Sequence, residues 1–317
     1  MDLLQTALML SDIPAPSGFE QAAVDAIADL ARTCTSDIRR TPAGSLLVRR
    51  PGNGRRIMFS THADTAGLLT TCRERDGIFR FGILGPLDIC AVSGAPVVST
   101  RGTHGVIGVD FSVETAKLTK TQLFLDAPDA AVSEAFVLSA SGSSKGGFVT
   151  ASALTRALSA AILLDVLTRT ETEADLTLVF SAQHMLGARD AAAVAFTVAP
   201  ELAVTIDGIP ARDIPGGDGT VALGGGAVVS HQAGRAIADP ALTEALLHAA
   251  EGPVQHDFAG PLVSDLAVIQ RSRTGVPTAA AGFAVRGAGL LQERAALADA
   301  EALSRLLQNF LLQNQSH

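Results

Sequence analysis

With 317 residues, of which 47% are hydrophobic and 18% charged, the chain can bury one large core or two smaller ones, and its composition excludes disorder. A net charge of −8, the absence of Trp and Tyr and the lack of any Lys/Arg cluster argue against nucleic acid, because neither a phosphate-binding stripe nor a base-stacking platform is present. No apolar run is long enough to span a bilayer and the opening MDLLQTALMLSDIPAPS has no basic n-region, so a cytoplasmic protein without a membrane partner is expected.

In chain order, SGFE places Ser17 three residues before Glu20, the spacing of a capping box. Ala23, Val24, Ile27, Leu30 and Ala31 then recur at helical spacing, which predicts the first helix. After the turn PGNG, the apolar run RIMFST (56–61) reads as a buried strand that delivers His62 and Asp64 at its carboxyl end. From Gly67 to about Gly147 short alternating segments are broken by glycine and proline, the texture of a small barrel or sandwich closed by SASGSSKGG (139–147). Helix and strand then alternate. Residues 152–169 read as a buried helix, 175–182 and 201–207 as strands, and 239–251 as a helix with Asp239 at its cap and Pro240 in its first turn. A strand at 276–283 and an amphipathic helix at 298–313 complete the pattern.

Strands separated by helices imply a largely parallel sheet. The expected fold class is therefore α/β: a discontinuous domain of residues 1–66 and 148–317 carrying an inserted β-barrel domain of residues 67–147. Open α/β sheets collect ligands beyond the carboxyl ends of their strands. His62 and Asp64 follow one strand, His184 a second and Asp207 a third, so all four are assigned to one cleft.

Cys34, Cys72 and Cys90 are an odd number without a CxxC pair. That is the pattern of reduced thiols, expected in or near the core. The glycine runs at 216–219 and 224–226 lack the strand and helix context of a nucleotide site and read as turns. His104, His231, His248 and His256 have no companions at ligand spacing. SASGSS follows no strand-to-helix turn, so it does not read as a nucleophile elbow.

Many segments together carry a resemblance: IPAPSGFE (13–20), THADTAG (61–67), GTHGVIGVD (102–110), AQHMLGARDA (182–191), AVTIDGIPARDIPG (203–216) and TGVPTAAAGFAVRGAG (274–289). In their order and spacing they resemble the glutamyl and deblocking aminopeptidases of metallopeptidase family forty-two, which work with two metal ions and assemble into tetrahedral dodecamers. The resemblance implies a metallo-aminopeptidase-like α/β domain with the barrel as a pairing domain. It places His62 and Asp207 at metal-ligand positions and Asp64 at the aspartate that orients the histidine. It also places Asp265, beside Ser264, in a pair lining the cleft, and retains Arg286.

At other positions the chain departs from that pattern. Thr155 stands where the resemblance expects the carboxylate bridging both ions, His184 where it expects the catalytic glutamate, and Met185 and Gly289 where it expects ligands of the second ion. Threonine, methionine and glycine supply no thiolate, imidazole or carboxylate, and two adjacent cations repel without an anionic bridge. The expectation is no cofactor, or at most one divalent metal such as zinc or cobalt.

The leading functional expectation is a non-catalytic homologue. It would serve as a homo-oligomer, from dimer to dodecamer, as a hetero-oligomer with an active paralogue, or as a receptor for a peptide or amino-acid derivative held by Asp265 and Arg286. The alternative is an atypical peptidase or amidase using one metal at His62, His184 and Asp207, or no metal with His184 as general base; Asp64 and His184 are its catalytic candidates.

Overall fold

The structure is a computed structural model and describes residues 1–110, 119, 122–261 and 263–316. Its centre is four parallel strands, in the order Asp175–Ser181, Arg56–His62, Leu202–Pro210 and Thr278–Arg286. Antiparallel strands extend the sheet on both sides, to eleven in all. These central strands read as near-continuous apolar runs because helices cover both faces. Ile57 and Phe59 point into one core with helix Leu154–Arg169, whereas Met58 between them points into the other with helix Ala191–Val198. The first of these helices is buried almost all round, packed against helices Leu3–Ser11 and Leu297–Asn314. A helix apolar on every side belongs inside a protein.

Between residues 67 and 138, six strands close into a barrel around Phe79, Phe81, Ile107, Leu125 and Phe136. Closure leaves no unpaired edge within this unit. The hairpin Ser143–Lys145 with Phe148–Ala151 pairs into the large sheet, so the main sheet takes up the chain again before residue 147. The α/β architecture with an inserted barrel, expected from the sequence, is the observed one.

Several local expectations are corrected. The first helix is Leu3–Ser11, capped by the Asp2 carboxylate accepting from Gln5 N. The next one starts at Gln21, and no capping box forms: the Glu20 carboxylate accepts from Gly18 N and from Gln183 N at 2.7 Å, while the Ser17 hydroxyl is buried without a partner. A long-range demand on Glu20 has outcompeted the local cap. Cys72 and Cys90 are exposed on the barrel side of the chain, against expectation, whereas the half-buried Cys34 packs against the main core as expected. Parallel pairing of Ala227–Ser230 with Val254–Asp257 stacks His231 on His256, with 2.8 Å between Nε2 and Nδ1, so these two histidines do have companions. Among the described residues no helix is long and apolar enough to cross a membrane.

Candidate active-site cleft

The parallel register sets the cleft. Ser181 lies beside His62 at the strand ends, and Asp207 leaves the neighbouring strand one side further on. His62 Nδ1 donates to the backbone carbonyl of Asp64 at 2.7 Å. A carbonyl only accepts, so Nδ1 carries the hydrogen and Nε2 is turned toward Asp207 Oδ1, 3.4 Å away and without a hydrogen bond. Thus it is the Asp64 main chain that orients His62. The Asp64 carboxylate stands 3.9 Å from the ring, accepts from Met185 N and keeps Oδ1 unpartnered.

His184 occupies a short turn entered through Gln183, which holds a left-handed φ of 53°. Such a conformation in a non-glycine residue costs on the order of 1 kcal/mol and concentrates where a site fixes the backbone. The imidazole stacks on His62, with ring centroids 4.8 Å apart. Its Nδ1 donates to Asp265 Oδ1 at 2.6 Å, and Nε2 lies 3.8 Å from Asp207 Oδ2 with no hydrogen bond. Burial alone would lower the His184 pKa, but the carboxylates of Asp265, Asp207 and Asp64 outweigh it and hold it at about 9. Burial likewise opposes ionisation of Asp265, yet His184, with Ser60 and Ser181 donating to Oδ2 at 2.9 Å each, keeps its pKa below the usual range.

Helix Leu154–Arg169 closes the floor. It starts from Ala153 in a left-handed conformation, and no side chain caps it there. Its Thr155 N–H donates instead to Glu293 at 2.6 Å, and the same carboxylate accepts from Gly289 N at 2.7 Å. One anion thus serves a helix start and a loop. Burial raises the Glu293 pKa, against those hydrogen bonds. The next residue, Arg156, is fully buried and lines the same cavity. Pro86 and the close approach of Gly85 to Met185 bring the barrel in as one wall.

The residues singled out in the sequence therefore divide. His62, Asp64, His184, Asp207 and Asp265 converge, with Asp265 behind His184 and both its oxygens engaged. Arg286 is not among the cavity-lining residues and makes a two-point ion pair with Asp213 at 2.9 and 2.6 Å. Glu20, Glu293 and Arg156 belong to the site region and were not recognised from the sequence; nothing local marks them.

For a metal, His62, His184 and Asp207 offer the nearest donor set. Among the described residues, no three His, Cys, Asp or Glu side chains are placed to hold an ion. The two imidazole Nε2 atoms face different oxygens of one carboxylate, 3.4 and 3.8 Å away. Thr155, Met185 and Gly289 line the rest of the cavity without a metal-binding group suited to zinc or cobalt. As arranged, these side chains do not fit a metal centre.

Residues 44–306 match the model of the M42 glutamyl aminopeptidase family. The chain belongs to that family. An Acetivibrio thermocellus protein named as an aminopeptidase is 24% identical, over 96% of this chain and 97% of its own length. Among solved structures, aminopeptidase APDkam598 of the archaeon Desulfurococcus kamchatkensis superposes with a TM-score of 0.92 at 24% identity, covering 98% of this chain and 94% of that one. The TET1 peptidase of Pyrococcus horikoshii, described as assembling into a tetrahedron or a large octahedral shell, gives 0.86 at 23% identity, with 98% and 100% covered. At such identities, likeness to these solved structures establishes the fold.

Proposed function

We propose that this member of the M42 family is non-catalytic and binds a peptide or amino-acid derivative in its cleft. The observation that carries the reading is the buried guanidinium of Arg156 in the cavity floor, beside Thr155. A fixed positive charge opposes a divalent cation, and no side chain there bridges two of them. Arg156⁺ and His184⁺ offset part of the negative charge of Asp64, Asp207 and Asp265. Metal content is then at most one ion per chain. Elemental analysis of untagged protein, with turnover of aminoacyl-nitroanilides, tests this. The expected result is substoichiometric metal and no hydrolysis; near two zinc or cobalt ions per chain with cleavage would end the reading.

A second reading rests on the 2.6 Å contact between His184 and Asp265. It makes the chain an atypical peptidase or amidase, with His184 transferring protons through Nε2 and no metal in the step. His184→Ala separates the two: an enzyme loses its activity, whereas a binding protein keeps its assembly. Assembly itself we propose to be a homo-oligomer, or a hetero-oligomer with an active paralogue, in line with the shells described for the Pyrococcus relative. A native mass of one chain would exclude the homo-oligomer.

A further inference from the structure

The Arg156 side chain is 1% exposed. Its Nη2 donates to the carbonyls of Leu10 at 2.8 Å and Ile13 at 3.0 Å, but Nε and Nη1 have no partner. Among the described residues no carboxylate makes an ion pair with it. Burial pulls its pKa down, against Asp64 and Glu293, to about 10, which leaves it charged at neutral pH. A buried cation with idle donors is costly, and native proteins satisfy such groups with water or an anion.

The same residue borders a defined space. Arg156 lines a cavity of about 40 Å³ together with Thr155, His62, Asp207 and Glu293. By the measure in which one water needs roughly 10–15 Å³, that is space for about three waters, close to the bulk of a very small organic molecule. The Thr155 hydroxyl is also unpartnered. It leans over Gly208, where a Cβ would meet it at 3.0 Å, so the Arg156 side and the Asp207 side of the cavity adjoin. On the wall of the same cavity, Asp207 commits Oδ1 to Gly208 N, and its Oδ2 lies 3.8 Å from His184 Nε2. Ala153, Ala288 and Val263 supply apolar wall.

We infer that the cavity binds a small free α-amino acid, its carboxylate on Arg156 and Thr155 and its ammonium group on Asp207. Each end meets the opposite charge, and the zwitterion adds no net charge to the site. A dianion such as phosphate would meet the Asp207 carboxylate with like charge. A longer peptide would extend beyond the cavity of about 40 Å³. The inference rests on the reading that the cleft binds without hydrolysing, and its test is arranged so that the two fail separately.

Calorimetric titration of the full chain with glycine, L-alanine and L-serine, against alaninamide, propionate and the dipeptide L-Ala-L-Ala, provides that test. At least one of the three amino acids binds, and its match among the probes lacking carboxylate or amine is weaker by about tenfold or more, the loss expected for one charged hydrogen-bonding group. Arg156→Met weakens the amino acid by at least about tenfold while its unfolding midpoint stays level or rises, because an apolar side chain relieves the buried charge. Should that variant not fold, Asp207→Asn reads the ammonium end with shape conserved and is expected to weaken binding similarly. No binding of any of the three at millimolar concentration, or equal binding of alanine and alaninamide, overturns the inference. So does undiminished binding in whichever of the two variants folds. Binding of the dipeptide alone overturns it while leaving the non-catalytic reading intact. Cleavage of the dipeptide or a nitroanilide sinks that reading, and the amino-acid titrations still decide the inference.

Discussion

His184 Nδ1 donates to Asp265 Oδ1 at 2.6 Å in a space where neither side chain is more than 3% exposed. An ion pair so placed is weak as a source of stability but costly to break, since the remaining charge is stranded. Asp265→Asn is expected to cost about 3–5 kcal/mol in denaturant unfolding. The pH dependence follows from the shifts. His184 has a folded pKa of about 9, raised above its ordinary value, so its contribution is full below about pH 6.5 and fades as pH climbs through 9. Asp265 is depressed, so its contribution is present above about pH 4 and is lost on acidification. The gap between wild type and Asp265→Asn should therefore be widest near pH 5–6 and narrow toward pH 9 and above. A gap that does not change with pH would refute the pairing.

Arg286 provides the contrast. Its guanidinium grips Asp213 at two points, yet the side chain is 41% exposed, and water screens such pairs. Arg286→Ala is expected to cost under about 1 kcal/mol of stability. Because the pair stands outside the cavity, the same variant should leave amino-acid affinity unchanged. A titration in which Arg286→Ala weakens the ligand as much as Arg156→Met would return Arg286 to the cleft.

The central strands were legible because full burial on both faces forces continuous apolar runs, as in RIMFST before His62. The strand ends then placed His62, Asp64, His184 and Asp207 in one cleft from topology alone. What stayed hidden depends on contacts distant in sequence. Asp265 reaches His184 across 81 positions, Glu20 reaches Gln183 across 163, and Glu293 caps Thr155 across 138. None of these leaves a local pattern; the Glu20 case even produced a false one, since Ser17 and Glu20 have the spacing of a cap without making it. The opening helix Leu3–Ser11 and the strands Asp37–Arg40 and Leu46–Arg50 were missed for another reason. Each is short, and the two strands form the sheet's antiparallel margin, where Arg39, Arg40, Arg49 and Arg50 break the apolar signal.

The three thiols should differ in reactivity. Cys72 and Cys90 are exposed, while Cys34 lies part-buried with its Sγ near the Thr33 and Thr168 hydroxyls. Access to solvent governs how fast a thiol is modified. Titration of native protein with a chromogenic disulfide should show two fast equivalents and one slower, with all three fast only after unfolding. Two slow equivalents would mean that assembly covers the barrel surface bearing Cys72 or Cys90, which native mass measured on the same sample would then register.

Gly282 sets how closely the Asp207 strand can be held. The two residues are partners in the parallel register, and a Cβ at Gly282 would lie 2.2 Å from the Asp207 carbonyl oxygen and 2.8 Å from Ile209 Cγ1. Main-chain oxygen in the middle of a sheet cannot step aside without breaking ladder hydrogen bonds, so Gly282→Ala must move the strand itself. Overpacking of this kind costs about 1–3 kcal/mol. It should also displace Asp207 from His62 and the cavity, weakening the small-ligand affinity as well as lowering the unfolding midpoint. A comparison with Gly94→Ala controls for the loss of a glycine as such, because Gly94 has open space around its Cβ position but a φ of 78°. That variant should lose stability through backbone strain alone and bind as wild type does. If Gly282→Ala also binds as wild type while unfolding earlier, the strand has shifted without carrying Asp207, and the cavity's acidic wall is set by the Gly208 loop instead.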